Sequence, residues 1–393
     1  MLAIRVARVF GGRDLLPGAG LVFVDGDRIV GVEPAGFDIP SDCEVLDRPS
    51  GTLLPGLIDA HVHLVADSGP GALDRIPEFS DDDLTRTIEE SLRIQLATGV
   101  TTVRDLGDTG WSVLDWRTHP VTGLPTVVAS GPPITSRGGH CSNMGGEASG
   151  LDELRAAVRE RVEHGADIVK IMASGGMMTP GTEVDRAQFT AHELAAVVAE
   201  AHASGLPVTA HAHALVAIRD AVAAGVDGIE HFTFLTADGV HMAEDVLTAV
   251  AAQGIVVCPT LGRVAGAVPP PGLRERMRKA GLDVEARAEQ MVHAHRAGVT
   301  IISGTDGGIN PGKAHGILPS AVIALVSGGM STADALATAT SLAADACGLG
   351  DHKGRIRAGN DADLIILDGD PLSDIDALLR LDSTFLAGQM VAQ

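Results

Sequence analysis

The stretch GLIDAHVHL, residues Gly56–Leu64, sets two imidazoles, His61 and His63, in an apolar run with strand character. Side chains alternate across a strand, so both histidines project to one face while Ala60, Val62 and Leu64 project to the other. Such a pair can chelate one divalent ion, although two hydrogen-bonded core histidines have the same spelling. Further groups of this kind close other β-rich runs: Lys170 in DIVKIMASGG, His211 and His213 in PVTAHAH, His231 in DGIEHF and Asp306 in VTIISGTDGG. Only four of the 29 basic residues are lysines, and Lys170 alone is set among Ile168, Val169, Ile171 and Met172. An ammonium there loses its solvation and repels any dication held by the imidazoles. A neutral Schiff-base lysine is one escape. Carboxylation by CO2 is the other, giving an anionic carbamate able to bridge two divalent ions, and the imidazole and carboxylate neighbours favour it and favour zinc.

These groups need a frame that brings distant strand ends together. From Pro55 onward, short β-rich runs alternate with stretches of helical period: Asp81–Ala97, a short helix near Trp111, Leu151–His164, Ala191–Ser204, Ala214–Ala224, Ala237–Gln253, Gly272–Ala297 and Ser331–Cys347. Eight such β/α units make a parallel sheet and suit a closed (β/α)8 TIM-like barrel, whose strand C-termini converge on one site. An open doubly wound sheet is the alternative, but no GxGxxG follows the first strand. Residues 1–54 and 355–393 read instead as short strands joined by turns. They are expected to form a small β-sandwich built from both chain termini, with the barrel occupying 55–354. The Gly-rich stretch TSRGGHCSNMGGEASG, 135–150, is the longest unpatterned loop and carries His140 at the same end of the barrel.

Composition narrows the partners. The chain has 393 residues and a net charge of −22, which disfavours nucleic acid and anionic membrane surfaces. No signal-peptide pattern opens it and no apolar run reaches the ~18 to 20 residues of a membrane span, so a cytoplasmic protein with a small-molecule partner, possible as a homo-oligomer, is expected. Cys43, Cys141, Cys258 and Cys347 lack CxxC spacing and are expected to be reduced thiols. The HxH of MVHAHRAG, His293 and His295, falls on a helix, where positions two apart do not share a face.

Taken in order, GLIDAHVHL, IVKIMASGG, TAHAH, GIEHF and SGTDGG resemble the amidohydrolase superfamily, in its binuclear, carboxylated-lysine form. The closing KGRIRAGNDADLIILDGDPL is similar to that family's return into its β-sandwich. The GGH, IMASGG and HAHA strings look most like prolidase-like dipeptidases, relatives of imidazolonepropionase that cleave an amide next to a free carboxylate. The resemblance implies that His61, His63 and Asp306 hold the more buried ion and His211 and His231 the more exposed one. Carboxylated Lys170 and a hydroxide would bridge the two. It further implies that the hydroxide attacks an amide carbonyl, with Asp306 as the catalytic proton shuttle, and that His140 and His213 contact substrate. On strand five, His211 and His213 project to one face, and the resemblance favours His211 as the ligand.

The chain departs from that pattern by having no tyrosine, so carboxylate recognition is expected from Arg137 and Arg263, just after strands three and seven. Ala214 and Phe232 stand where glycine is usual and are expected to narrow the pocket. The Met172, Met177 and Met178 cluster is read as packing. A dipeptide or N-acyl amino acid is the expected substrate. A heterocycle deaminase or cyclic-amide hydrolase and a non-catalytic metal-binding protein are the alternatives; Lys170 argues against the deaminase, and an aspartate placed as a base argues against the last.

Overall fold

A computed structural model of the chain describes residues 1–269, 271–280, 282 and 284–391. The N-terminal segment forms β1 (Leu2–Val9), β2 (Ala19–Asp25), β3 (Arg28–Pro34) and β4 (Glu44–Pro55). The next strands are β5 (Leu57–Val62), β6 (Val100–Asp105), β7 (Thr126–Ala129), β8 (Val169–Met172), β9 (Val208–Ala214) and β10 (Gly228–Thr236). They are followed by β11 (Gly239–Val240), β12 (Val256–Cys258) and β13 (Thr300–Ile301), and the chain closes with β14 (Leu364–Asp368), β15 (Leu381–Leu386) and β16 (Gln389–Met390).

Between them run the helices, and local sequence sets where they start. Ser80 with Asp83, and Thr190 with Glu193, form reciprocal capping boxes that open the helices Asp81–Leu96 and Ala191–Ala203. The first of these buries Leu84, Ile88 and Leu92, four residues apart, against the central core.

β5, β6 and β7 form one parallel sheet, and β8, β9, β10, β12 and β13 another. Parallel bridges from Ile134 to Ile171 and from Val62 to Gly307 join the two sheets at both edges, so the eight segments close into a ring. Backbone bonds from Met172 N to Ile134 O (2.8 Å) and from His63 N to Gly307 O (2.9 Å) make those seams. At one end Ile58, Ala60, Val128, Cys258 and Ile302 pack with Ala343 and Ala344 of the helix Ser341–Ala346.

Strands from both termini share one seven-stranded sheet, ordered β16-β15-β14-β4-β1-β2-β3. Alternation gives it two buried faces. Ile365 and Leu367 join the central core, while Leu364 and Ile366 pack with Ile4, Val22, Leu53 and Phe385 in a separate cluster.

Helix positions depart from the sequence reading in three places. Residues 237–243 are not helical: the Ala237–Asp238 turn closes a hairpin pairing Leu235 with Val240 and Thr236 with Gly239, and the helix begins at Glu244. The expected helix over 331–347 is two helices, Thr332–Thr338 and Ser341–Ala346, preceded by an unexpected one at Leu318–Ser327. The expected helix 272–297 corresponds to Pro271–Lys279 and Val284–Arg296; residues 281 and 283 lie outside the described residues. All four cysteines are free thiols, and no helix among the described residues is long and apolar enough to cross a membrane.

Candidate active site

At the C-terminal ends of the ring strands a cavity of about 610 Å³ opens, and His61, His63, His140, Lys170, His211, His213, His231, Arg263 and Asp306 all face it. The pairing of β5 with β6 shifts between Asp59 and Val62, and at that irregularity His61 and His63 converge on one carboxylate oxygen. Their Nε2 atoms lie 3.5 and 3.2 Å from Asp306 Oδ1. The rings of His211 and His213 both lie 4.5 Å, centroid to centroid, from that of His231. The His61 ring, 5.5 Å from His231, connects the two groups.

Each histidine has one ring nitrogen engaged by the surrounding protein. Nδ1 of His61 bonds Glu230 (2.7 Å), that of His63 bonds Gly107 O (3.0 Å), and those of His213 and His231 bond the hydroxyls of Thr233 and Thr260 (both 2.8 Å). His211 is held by the opposite atom, Nε2, on Gly175 O (3.2 Å), so Nδ1 is the nitrogen it has left to offer. A histidine whose far nitrogen is fixed presents the other in one orientation, which is how imidazole ligands are prepared for a metal. Among the described residues three triads have donor atoms within 4.8 Å of one another: His61–His63–Asp306 and His211–His213–His231, which face the cavity, and His61–Glu230–Cys258, of which only His61 lines it. The nitrogen and oxygen donors fit a divalent ion of the zinc type.

Electrostatics agree with that fit. Burial, reinforced by the neighbouring cations, lowers His61 and His140 to about 4, lowers His213 to about 3, and carries His211 and His231 well below the ordinary histidine range. Neutral imidazole is the metal-binding form. Although burial opposes it, the imidazoles of His63 and His61 hold Asp306 below the usual carboxylate range. Burial lowers Lys170, whose ammonium makes no hydrogen bond or ion pair among the described residues. Backbone strain gathers here too: His231 (φ 67°), Phe232 (φ 52°), Thr260 (φ 50°) and Asp306 (φ 59°) occupy left-handed conformations that non-glycine residues seldom adopt.

The layer behind the site was not legible as function in the sequence. Glu230 is fully enclosed and accepts from His61, from Thr209 (2.7 Å) and from Arg104 (3.3 Å); His61, Arg104 and Lys170 hold it at about 2 against its burial. Arg287 reaches in from the helix Val284–Arg296 to donate to the carbonyls of His231 (2.5 Å) and Phe232 (3.2 Å). Lys313 donates to Thr260 O (2.5 Å) and Thr305 O (3.1 Å). Glu230 and Arg287 become recognisable only once the strands are paired, because each acts on a residue far from it in sequence.

Two expectations need correction. Arg137 does not face the cavity: its exposed guanidinium turns onto Glu153 (2.8 Å), at the start of the helix Gly150–Glu163. Ala214 and Phe232 do not narrow the pocket. Phe232 is fully buried with its ring 4.4 Å from that of Phe234, since the left-handed turn after Glu230 directs it away. Met172, Met177 and Met178 line the cavity as apolar wall.

Comparison with known proteins places this geometry. Residues 52–391 match the model of the Amidohydrolase family. The chain is 29% identical over 406 residues to ochratoxinase of Aspergillus niger, covering 92% of this chain and 81% of that one. It is 26% identical to imidazolonepropionase of Symbiobacterium thermophilum, covering 90% and 84%. Among solved structures, a Xaa-Pro dipeptidase with methionine bound in its active site superposes with a TM-score of 0.85 at 26% identity, over 100% of both chains. A prolidase complexed with N-methylphosphonate-L-proline superposes with the same TM-score at 28% identity, over 99% of both. With its histidine-rich site at the strand ends, the chain belongs to the amidohydrolase family and is a metal-dependent hydrolase of C–N bonds.

Proposed function

We propose that the enzyme cleaves the amide bond of a dipeptide or N-acyl amino acid at a binuclear centre. The observation that carries this reading is the convergence of His61, His63, His211, His231, Lys170 and Asp306 on one cavity, with the far nitrogen of every imidazole already engaged. His61, His63 and Asp306 would hold one ion, His211 and His231 a second, and a carbamate on Lys170 would bridge them. Two bound divalent ions, zinc by donor type, supply Lewis acidity to the carbonyl and acidify a water.

The protein's own groups do the rest. Asp306, kept ionised by its histidine neighbours, takes the proton released as water adds to the carbonyl and returns it to the departing nitrogen. His140, with Nδ1 anchored on Thr179 (2.8 Å), and His213 face the substrate. Met177, Met178, Leu273 and Met277 supply an apolar wall for an acyl or side-chain group. The proline derivative held by one structural relative and the methionine held by another support an amino-acid leaving group. We further read residues 55–354 as a (β/α)8 barrel and 1–54 with 355–393 as the β-sandwich that braces it.

Similarity to imidazolonepropionase favours a cyclic amide as the second reading. Zinc-loaded protein assayed against dipeptides, N-acyl amino acids, cyclic amides and aminated heterocycles decides between them. The proposal expects hydrolysis in the first two groups and two ions per chain. Turnover confined to cyclic amides, or ammonia released from heterocycles by a one-ion enzyme, would overturn it.

A further inference from the structure

The cavity has a wall of cations that form no ion pair among the described residues. Asp306 is the one carboxylate among its described lining residues, which also include Arg263, Arg287 and Lys313. None of these three cations pairs with a carboxylate within 4.0 Å among the described residues, in a chain whose net charge is −22. The chain's other cavity lysine is Lys170, whereas Lys279 and Lys353, outside the cavity, pair with Glu275 and with Asp361 and Asp363.

Arg263 and Lys313 sit on two loops tied together on either side of them. Lys313 Nζ donates to Thr260 O (2.5 Å), and Val264 N donates to Gly312 O (3.1 Å). Arg263 is pinned only at its backbone, where its N–H donates to Ser320 Oγ (3.0 Å) and its carbonyl accepts from the same hydroxyl (3.2 Å). Its guanidinium has no partner among the described residues, so the full fork is available. Lys313 spends two of its three N–H donors on backbone carbonyls, Thr260 O and Thr305 O, and keeps one.

We propose that Arg263 and Lys313 form an anion subsite that receives a free carboxylate of the substrate. This rests on the amide-hydrolase reading and adds what the enzyme selects for. A guanidinium fork and an ammonium on adjacent loops suit a planar carboxylate, and a carboxamide in its place would turn an N–H group toward a cation. The same cavity is also lined by Met177, Met178, Leu273 and Met277, so it offers apolar wall as well as an anion subsite to an amide that carries both an apolar group and a carboxylate.

The test compares zinc-loaded wild type with Arg263→Gln, Arg263→Lys and Lys313→Met on N-acetyl-L-methionine and N-acetyl-L-methioninamide, reading the acid-to-amide ratio of kcat/KM. Calorimetry of the same proteins with L-methionine and L-methioninamide gives a second readout that needs no turnover. Wild type should favour the acid in both, and Arg263→Gln and Lys313→Met should each cut the preference about 10- to 100-fold, as expected for a lost charged hydrogen bond. Arg263→Lys should restore part of it. An unchanged preference in both folded variants, or none in wild type, overturns the subsite. Failure of wild type to hydrolyse either compound while calorimetry still discriminates acid from amide would overturn the hydrolytic reading and leave the subsite standing.

Discussion

Asp306 completes the triad with His61 and His63: its Oδ1 faces both imidazoles, and its backbone is left-handed. Asp306→Asn keeps an oxygen donor and removes the proton acceptor. Turnover should fall about 10²- to 10⁴-fold while most metal is retained, measured by kcat alongside metal analysis. A second residue tests the electrostatics away from the centre. Asp108 is buried, caps Val113 N (3.0 Å) with one oxygen and leaves the other without a partner, and burial beside Asp105 pushes it up to about 8. The folded state therefore holds a proton that the unfolded chain releases near 3.8. Its contribution to stability declines as pH rises from about 4 to about 8. The unfolding temperature of Asp108→Asn should fall less than that of wild type across that window; parallel curves would refute the assignment.

At the scale of elements, the sequence revealed what depends on local pattern and hid what depends on tertiary contact. The stretches of helical period expected from Asp81 and Ala191 do begin there, directly after Ser80 and Thr190. The apolar run LPSAVIALVS has too little polar contrast to show a helical face, and its helix, Leu318–Ser327, was missed. The strand-end histidines, Lys170 and Asp306 were legible because strand alternation and a parallel ring suffice to gather them at one end. Arg287 was not, since its role lies in the carbonyls of His231 and Phe232, in backbone that sequence alone does not show to be left-handed. Replacing it with methionine leaves those carbonyls unpaired inside the protein. Arg287→Met should destabilise the fold by about 2–4 kcal/mol and weaken metal binding at the proposed centre that includes His231. Denaturant unfolding with a metal titration would check this, and unchanged stability and metal affinity would argue that the clamp is incidental.

For the whole molecule, a strongly acidic chain encloses a cavity whose lining combines Lys170, Arg263, Arg287, Lys313 and six histidines with one carboxylate, Asp306, among the described residues, a balance that bound anions or metal-bridging groups would complete. Lys170 is the point at which that balance is decided, being buried and without a hydrogen-bonding partner among the described residues. As an ammonium it opposes two dications; as a carbamate it joins them. The most direct measurement is ¹³C NMR of the zinc-loaded enzyme prepared with labelled bicarbonate, read together with metal content and activity in wild type and Lys170→Ala. The account predicts a carbamate signal, two ions per chain and activity in wild type. In Lys170→Ala it predicts loss of the signal, of at least one ion and of most activity, with partial recovery on adding short carboxylic acids. An active wild-type enzyme holding two ions with an unmodified Lys170 would contradict it.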